Sequence, residues 1–244
     1  MITMKRMTKI LFAILALLII FAGIATFTQK EDDEPTIPVL DENTTVIGEN
    51  SNGTVYKITC GNNSSSDTAI VILGVHSLES GIHNATYEKL INFSQEDELN
   101  RKFIVYFITL NFEDSGMNTS DYNTNRHMGE LLAHDYVLPD IEKNNPYVVV
   151  DVHEMEDYWE HQKYVGVIDN ESDLTMEYAY RIGNNLSYPV LTVNAGTSPE
   201  WVTIPISEKN HITILFETPQ ADSQHEKALT AKDLVRTIDR LPIY

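Results

Sequence analysis

The chain has 244 residues and a formal net charge of −19, from 36 acidic and 17 basic residues. This balance argues against nucleic acid as a partner, because proteins bind the phosphate backbone mainly through Lys and Arg side chains. A single cysteine, Cys60, excludes an intramolecular disulfide, so the fold must depend on its core, on a metal, or on both.

The first predicted element is an apolar segment near the start of the chain. Residues 10–27 (ILFAILALLIIFAGIATF) carry no charge and follow a basic stretch, and their length is close to the minimum that crosses a bilayer. We interpret 1–9 as a cytoplasmic basic stub and 10–28 as a transmembrane signal anchor, with a cleaved signal peptide as the alternative. We therefore expect a single-pass protein of the cell membrane with its domain outside, or a secreted protein if the segment is cleaved.

The segment after the anchor has the composition of a linker. Residues 29–53 are acidic and lack a hydrophobic period, which predicts a tether between the membrane and the domain. Asn-x-Ser/Thr triplets occur at Asn43, Asn52, Asn62, Asn63, Asn84, Asn92, Asn118, Asn170 and Asn185. Together these acceptors indicate a glycosylated, extracellular domain.

From residue 54 onward, strand-like and helix-like segments alternate. Predicted strands cover 54–60, 68–75, 103–110, 146–153, 162–168, 188–193 and 211–217, and predicted helices cover 85–93, 126–143 with a break near Pro139, 171–186 and 223–241. This alternation predicts an α/β domain over 54–244, with a mixed, largely parallel sheet flanked by helices. Ligands of such sheets bind outside the carboxyl ends of the strands.

Candidate metal ligands stand at two of these strand ends. His76 follows one buried strand directly, Glu79 comes three residues later, and His153 ends another strand. Imidazole nitrogen and carboxylate oxygen are ligands that zinc accepts, and catalytic zinc sites use three protein ligands. The alternatives are a strand end before a solvated loop at His76, and a hydrogen-bonded histidine at a strand edge at His153.

Two further carboxylates accompany these histidines. Asp151 lies two residues before His153, and strand alternation places both on one side of the sheet. A charge in a Val-rich strand is costly without a partner, so Asp151 is predicted to support the metal ligand or to face substrate. Glu217 ends an apolar strand, where burial raises a carboxyl pKa and suits the group to proton transfer. Its alternative is a capping or salt-bridged carboxylate, because Thr218 and Pro219 follow.

The order of the motifs resembles the zinc metallocarboxypeptidase superfamily, including its succinylglutamate desuccinylase and aspartoacylase branch. GVHSLESG, NTNR, VDVH, GTSPEW and LFE occur in that order between residues 70 and 217. The resemblance implies the zinc carboxypeptidase-like fold and a zinc cofactor held by His76, Glu79 and His153. It also implies that Glu217 is the general base and acid, acting on a water molecule at the zinc ion.

The resemblance extends to substrate-binding residues. Asn125 and Arg126 match an Asn-Arg pair that holds a substrate carboxylate, and a planar guanidinium can bind a carboxylate through two parallel hydrogen bonds. GTSPEW resembles the lining of the specificity pocket, which implies substrate-binding roles for Ser198 and Glu200. Without the resemblance, Arg126 is simply a surface residue at the start of a helix.

Two positions depart from the pattern of the superfamily. Val193 stands where carboxypeptidases have a mobile tyrosine, and the stretch 111–122 lacks the arginine that polarises the scissile carbonyl. Arg181, Arg101, His127 or a nearby tyrosine are the candidate replacements. Loss of such a donor commonly costs about 10²–10³ in rate, so the departures concern turnover more than metal binding.

The main hypothesis is an exported, membrane-anchored zinc hydrolase that cleaves an amide bond next to a free carboxylate. Its substrates would be peptides or acylated amino acids, including cell-envelope material. The alternative is a non-catalytic cell-surface binding or adhesion module that retains the fold. A third hypothesis, a metal-independent hydrolase using Glu154 and Glu156, leaves the histidines unexplained, and those two residues are more simply a solvated acidic loop.

Overall fold

The structure is a computed structural model that describes residues 38, 41–111, 122–156, 158–168, 172–193 and 198–244. The stub, the predicted membrane anchor at 10–28 and residues 29–37, 39 and 40 of the predicted tether lie outside these residues. Within the described ranges, no helix has the length and apolar character needed to cross a membrane.

In the described ranges, eight strands form one mixed sheet. They are β1 (Thr44–Asn50), β2 (Gly53–Gly61), β3 (Thr68–Leu73), β4 (Lys102–Leu110), β5 (Val148–Met155), β6 (Tyr164–Ile168), β7 (Val190–Val193) and β8 (Thr213–Pro219), in the order β1-β2-β4-β3-β5-β8-β6-β7. Pairs β3–β4, β3–β5, β5–β8 and β6–β7 are parallel, whereas β1–β2, β2–β4 and β6–β8 are antiparallel. The predicted α/β fold with a largely parallel, mixed sheet is confirmed.

Helices cover both faces of this sheet. They are α1 (Ser80–Gln95) after a 3₁₀ turn (Ser77–Glu79), α2 (Tyr122–Leu132), a π-helical turn (Ala133–Val137), α3 (Leu138–Ile141), α4 (Asp173–Leu186), a second π-helical turn (Pro199–Thr203), α5 (Ile204–Glu208) and α6 (Gln224–Asp239). The break expected near Pro139 takes the form of the first π-helical turn. Proline cannot donate the usual helical hydrogen bond, and such irregular turns accommodate the loss.

Each face of the sheet has its own apolar core. Residues of α1, α4 and α6, such as Ile82, Tyr178 and Leu234, pack on one face. Residues of α2, α3 and α5, such as Leu132, Ile141 and Ile206, pack on the other. The central strands are therefore buried on both sides, which explains their continuous apolar runs. The polar residues His153 and Glu217, near the carboxyl ends of two of these strands, are buried as well.

The first strand corrects the predicted boundary of the tether. β1 lies inside the segment 29–53 that we expected to be a tether, and it pairs with β2 along its length. Only Thr44 and Gly48 of β1 are buried, so this edge strand carries no hydrophobic alternation that the sequence could reveal. Pairing with β2 fixes it, and the folded domain begins before residue 54.

Gly129 allows α2 to approach the chain just beyond β3. A Cβ atom at this position would lie 1.8 Å from the carbonyl oxygen of Val75, which is far below van der Waals contact. Arg126 and Glu130 flank Gly129 on the same helix, three residues before it and one residue after it. The glycine therefore sets the distance between these two side chains and the segment that carries His76.

We expect Gly129→Ala to destabilise the domain. Alanine would favour the helix by up to about 1 kcal/mol. Overpacking a tight contact costs about 1–3 kcal/mol, and here the obstructing atom is backbone, so the clash should prevail. Urea-induced unfolding followed by circular dichroism measures the difference. Asp233→Ala on the exposed side of α6 is the control and should not lower stability. Equal stability of both variants would contradict the close approach.

Candidate metal centre

The carboxyl ends of β3 and β5 bring the three candidate ligands together. One ligand atom from each of His76, Glu79 and His153 lies within 4.8 Å of the others, and all three residues are buried. The Nδ1 atom of His76 is 2.8 Å from Glu79 Oε1, and that of His153 is 2.9 Å from Glu79 Oε2. The two Nδ1 atoms are 3.1 Å apart. In the part of the chain that is described, no other three His, Cys, Asp or Glu residues meet in this way.

Local structure explains this convergence. The 3₁₀ turn after β3 places Glu79 back toward His76, and the N–H of Glu79 donates to the carbonyl of His76 at 3.0 Å. His153 lies near the end of β5, the strand that pairs in parallel with β3. Because parallel strands end at the same edge of a sheet, the two histidines face a common point.

A carboxylate holds the outer nitrogen of each histidine. His153 Nε2 is 2.9 Å from Asp151 Oδ1, and His76 Nε2 is 3.1 Å from Glu130 Oε1. A carboxylate at Nε2 keeps the proton on that nitrogen, which leaves the lone pair of Nδ1 available to a metal. Two imidazole nitrogens and one carboxylate oxygen also match the donor set of catalytic zinc sites. The residues present therefore fit zinc.

Glu130 was missed by the sequence reasoning. It is buried on α2, four residues after Arg126, and this spacing places both side chains on one face of the helix. The four-residue spacing could have indicated that Glu130 and Arg126 act together. It points to the metal centre only once α2 is known to pack against the segment beyond β3.

The buried carboxylate of Asp151 is held by hydroxyl groups as well as by His153. Ser198 Oγ and Thr203 Oγ1 each donate to Asp151 Oδ2 at 3.0 Å, and Ser198 Oγ also lies 3.0 Å from His153 Nε2. Burial would raise the pKa of Asp151, but the charge and hydrogen bonds of these neighbours hold it below its usual value. The structure therefore places Ser198 behind the metal centre, and its role in substrate binding stays a prediction.

Arg126 lies at the side of the metal centre. Its Nη1 atom donates to Glu79 Oε1 at 2.7 Å, and part of its side chain is exposed. Asn125 precedes it on α2 and is buried. Glu200 is exposed on the second π-helical turn, and none of the hydrogen bonds found among the described residues joins it to the three ligands. Carboxylate binding by Asn125 and Arg126, and substrate binding by Glu200, stay predictions.

Glu217 faces the metal centre from the neighbouring strand. It pairs directly with His153 between β5 and β8, and it is almost completely buried. Within the described part of the chain, its Oε2 atom has no hydrogen-bond partner. Burial raises the pKa of Glu217 to about 8, although the charge of His153 opposes the shift. A carboxyl group that can hold a proton near neutral pH thus lies beside the candidate ligands.

The candidate replacements for the missing arginine differ in how near they lie to the metal centre. Arg101 lies over the ring of Tyr147 at 4.8 Å, at the amino edge of the sheet, and Arg181 pairs with Glu177 on the surface of α4. His127 is nearer to the metal centre, because its Nδ1 atom is 3.4 Å from Glu130 Oε2. Val193, the position of the expected tyrosine, is the last residue of β7.

Solved structures share this fold. A metallo-carboxypeptidase from Burkholderia cenocepacia has a TM-score of 0.53 at 9% identity, covering 80% of this chain and 63% of its own. A succinylglutamate desuccinylase from a Silicibacter species has a TM-score of 0.51 at 15% identity, covering 84% of this chain and 68% of its own. The cell shape determinant protein Csd4 from Helicobacter pylori has a TM-score of 0.51 at 9% identity, covering 77% of this chain and 55% of its own.

These similarities confirm the fold that the motifs led us to expect. The chain shares its fold with carboxypeptidase structures and with a succinylglutamate desuccinylase structure. It spans less than two thirds of the Burkholderia and Helicobacter proteins. A scan against protein-family models and a search of the curated proteins find no match.

We expect Glu130→Gln to weaken zinc binding. An amide in place of the carboxylate holds the outer nitrogen of His76 less strongly, and loss of such a partner costs about 10–100-fold in metal affinity. Competition with a chromophoric chelator measures the dissociation constant. Glu142→Gln is the matched control, because Glu142 is exposed and pairs with Lys209 at the surface. Equal affinities of the two variants would contradict the role of Glu130.

The buried Glu217 should also make the stability of the metal-free chain depend on pH. Its folded pKa of about 8 exceeds the ordinary value of 4.5, so unfolding releases a proton between these pH values. Its contribution to stability is therefore complete below pH 4.5 and falls toward pH 8, by at most about 1.4 kcal/mol per pH unit.

Urea-induced unfolding in the presence of a chelator, at pH 5 and at pH 8, tests this expectation. Glu217→Gln removes the titrating group, so this variant should gain stability relative to the unchanged chain as pH rises. A difference between the two proteins that is the same at both pH values would show that Glu217 ionises normally.

Proposed function

We propose that this chain is a zinc-dependent hydrolase that cleaves an amide bond next to a free carboxylate, of the carboxypeptidase or amide-deacylase type. The observation that carries the proposal is the convergence of His76, Glu79 and His153 on one point. Its support is the carboxylate behind each histidine, the proton-holding Glu217 beside them, and the fold shared with a metallo-carboxypeptidase and a desuccinylase.

The two histidines and Glu79 would hold the zinc ion through two Nδ1 atoms and one carboxylate oxygen. A zinc ion there would acidify a water molecule and polarise the carbonyl of the substrate. The protein fixes the ligands in advance, because Asp151 and Glu130 hold the imidazole rings and the site is buried.

Glu217 would transfer the proton in this reaction. As a carboxylate it accepts a proton from the attacking water, and as a carboxylic acid it returns that proton to the leaving amine nitrogen. In the metal-free chain, burial raises the pKa of Glu217 to about 8, so this carboxyl group holds a proton more readily than an exposed one. The pairing of Glu217 with His153 across β5 and β8 supports this role, because it places the carboxyl group beside the ligands.

Arg126 would bind the free carboxylate of the substrate. Its guanidinium is adjacent to Glu79 and partly exposed, so it can present two parallel N–H groups to a carboxylate that enters from solvent. Asn125, on the same helix, would assist. This arrangement favours a peptide C-terminus or an acylated amino acid over an internal peptide bond.

We further propose that the domain acts outside the cell. The apolar segment at 10–28, its basic flank and the nine glycosylation acceptors support a membrane-anchored, outward-facing enzyme. Peptides or cell-envelope material would then be its substrates.

A binding module with the same fold is the second candidate. Among the arginines in the described residues, Arg126 alone forms an ion pair with a candidate ligand, and Val193 replaces the tyrosine of the carboxypeptidases. Such a protein would hold zinc and a carboxylate ligand without turnover.

Zinc content and hydrolysis by the purified full-length chain test the proposal. We expect about one zinc per chain, and cleavage of acylated amino acids or dipeptides but not of their carboxamides. Glu217→Gln should keep its zinc and lose about 10²–10⁴-fold in kcat, because it cannot transfer the proton. Arg126→Met should retain zinc and lose the preference for carboxylates.

The possible outcomes separate the candidates. A chain without zinc, or full activity in Glu217→Gln, would contradict the hydrolase mechanism. Zinc binding with carboxylate affinity and no turnover would favour the binding module.

A further inference from the structure

A buried ion pair lies behind the metal centre. Glu154 follows His153 in β5, and strand alternation directs its side chain to the opposite face of the sheet. Its Oε1 atom is 2.8 Å from the Nζ atom of Lys227 on α6, and both residues are about 95% buried. Glu154 is thus no part of a solvated acidic loop, which corrects the sequence interpretation. Because desolvating such a pair is costly, stability alone is a poor explanation for it.

The same carboxylate caps helix α1. Glu154 Oε1 accepts a hydrogen bond from the backbone N–H of Ile82, the third residue of α1, at 2.6 Å. The first N–H groups of a helix have no partner within the helix, and a side chain usually supplies one. Glu79 occupies the capping position but makes no such bond, because its carboxylate faces the two histidines. Glu154 supplies the cap that Glu79 cannot.

Glu154 also contacts the metal ligand directly. Its backbone N–H donates to Glu79 Oε2 at 3.1 Å. One residue therefore binds the carboxylate of Glu79 through its main chain and the helix that follows Glu79 through its side chain. The position of Glu79 relative to His153 depends on both contacts.

Gly81 provides independent support for this arrangement. A Cβ atom at this position would lie 2.4 Å from Lys227 Nζ and 2.9 Å from Glu154 Oε1. A side chain at this position would displace the ammonium group from its present place beside the carboxylate, at the first turn of α1. The glycine at position 81 of α1 thus leaves space for the ammonium group of Lys227.

We infer that Lys227 is a positioning residue for the metal centre: it holds Glu154, which fixes the start of α1 and the carboxylate of Glu79 opposite His153. The inference rests on the metal-binding function proposed above. It assigns the last helix of the described chain a role in the affinity and geometry of a site formed by β3 and β5.

Lys227→Met in the full-length chain tests the inference. We expect its zinc dissociation constant, measured by competition with a chelator, to rise about 10–100-fold, as for loss of other supporting groups around a metal. Lys57→Met is the matched control, because it breaks an ion pair with Asp140 at 2.6 Å that touches none of the candidate ligands. The control should keep the affinity of the unchanged chain.

A double variant separates positioning from general destabilisation. Lys227→Met with Glu154→Gln removes both charges, and the amide oxygen can still accept from the N–H of Ile82. We expect this variant to fold and to recover most of the lost affinity. Hydrogen exchange at Ile82 in the metal-free chain should be faster in Lys227→Met than in Lys57→Met.

Each result bears on the inference. Unchanged affinity in Lys227→Met, or an equal loss in Lys57→Met, would overturn it while leaving the proposed function intact. A double variant that binds zinc no better than Lys227→Met would also overturn it. Failure of the unchanged chain to bind zinc would instead overturn the proposed function, and the inference with it.

Discussion

The carboxylate of Glu79 is the interaction on which the site depends. Burial would raise its pKa, but the charges of His76 and His153 hold it well below its usual value. Arg126 and the N–H of Glu154 donate to the same carboxylate. A buried negative charge survives only with such partners, and here the partners come from three parts of the chain: the segment after β3, helix α2 and strand β5. The fold can therefore be understood as the arrangement that brings these groups to one carboxylate.

The two faces of the sheet contribute differently to this arrangement. On one face, the close contact at Gly129 brings α2 near enough for Arg126 and Glu130 to reach the ligands. On the other face, Glu154 accepts a hydrogen bond from the start of α1, the helix that follows Glu79, and pairs with Lys227 of α6. The strand between them supplies His153 to the first face and Glu154 to the second, because alternation directs successive side chains in opposite directions.

The sequence predicted the site residues that directly follow an apolar strand segment. His76, His153 and Glu217 each follow an apolar run, so the end of the strand and the candidate site were visible together. Edge strand β1 was not visible, since few of its residues are buried. Glu130 and Lys227 were missed for another reason. Their partners are distant in the chain, and an acidic or basic residue on an amphipathic helix has the same pattern whether it is solvated or paired.

The order of strands in the sheet has a consequence for biosynthesis. β8 is the last strand in sequence, yet it lies between β5 and β6 in the middle of the sheet. The nascent polypeptide cannot close the sheet until this strand has emerged from the ribosome, because its long-range pairings form late. A nascent chain without this strand would hold His76, Glu79 and His153 on β5 and the segment after β3, but would lack Glu217 beside them.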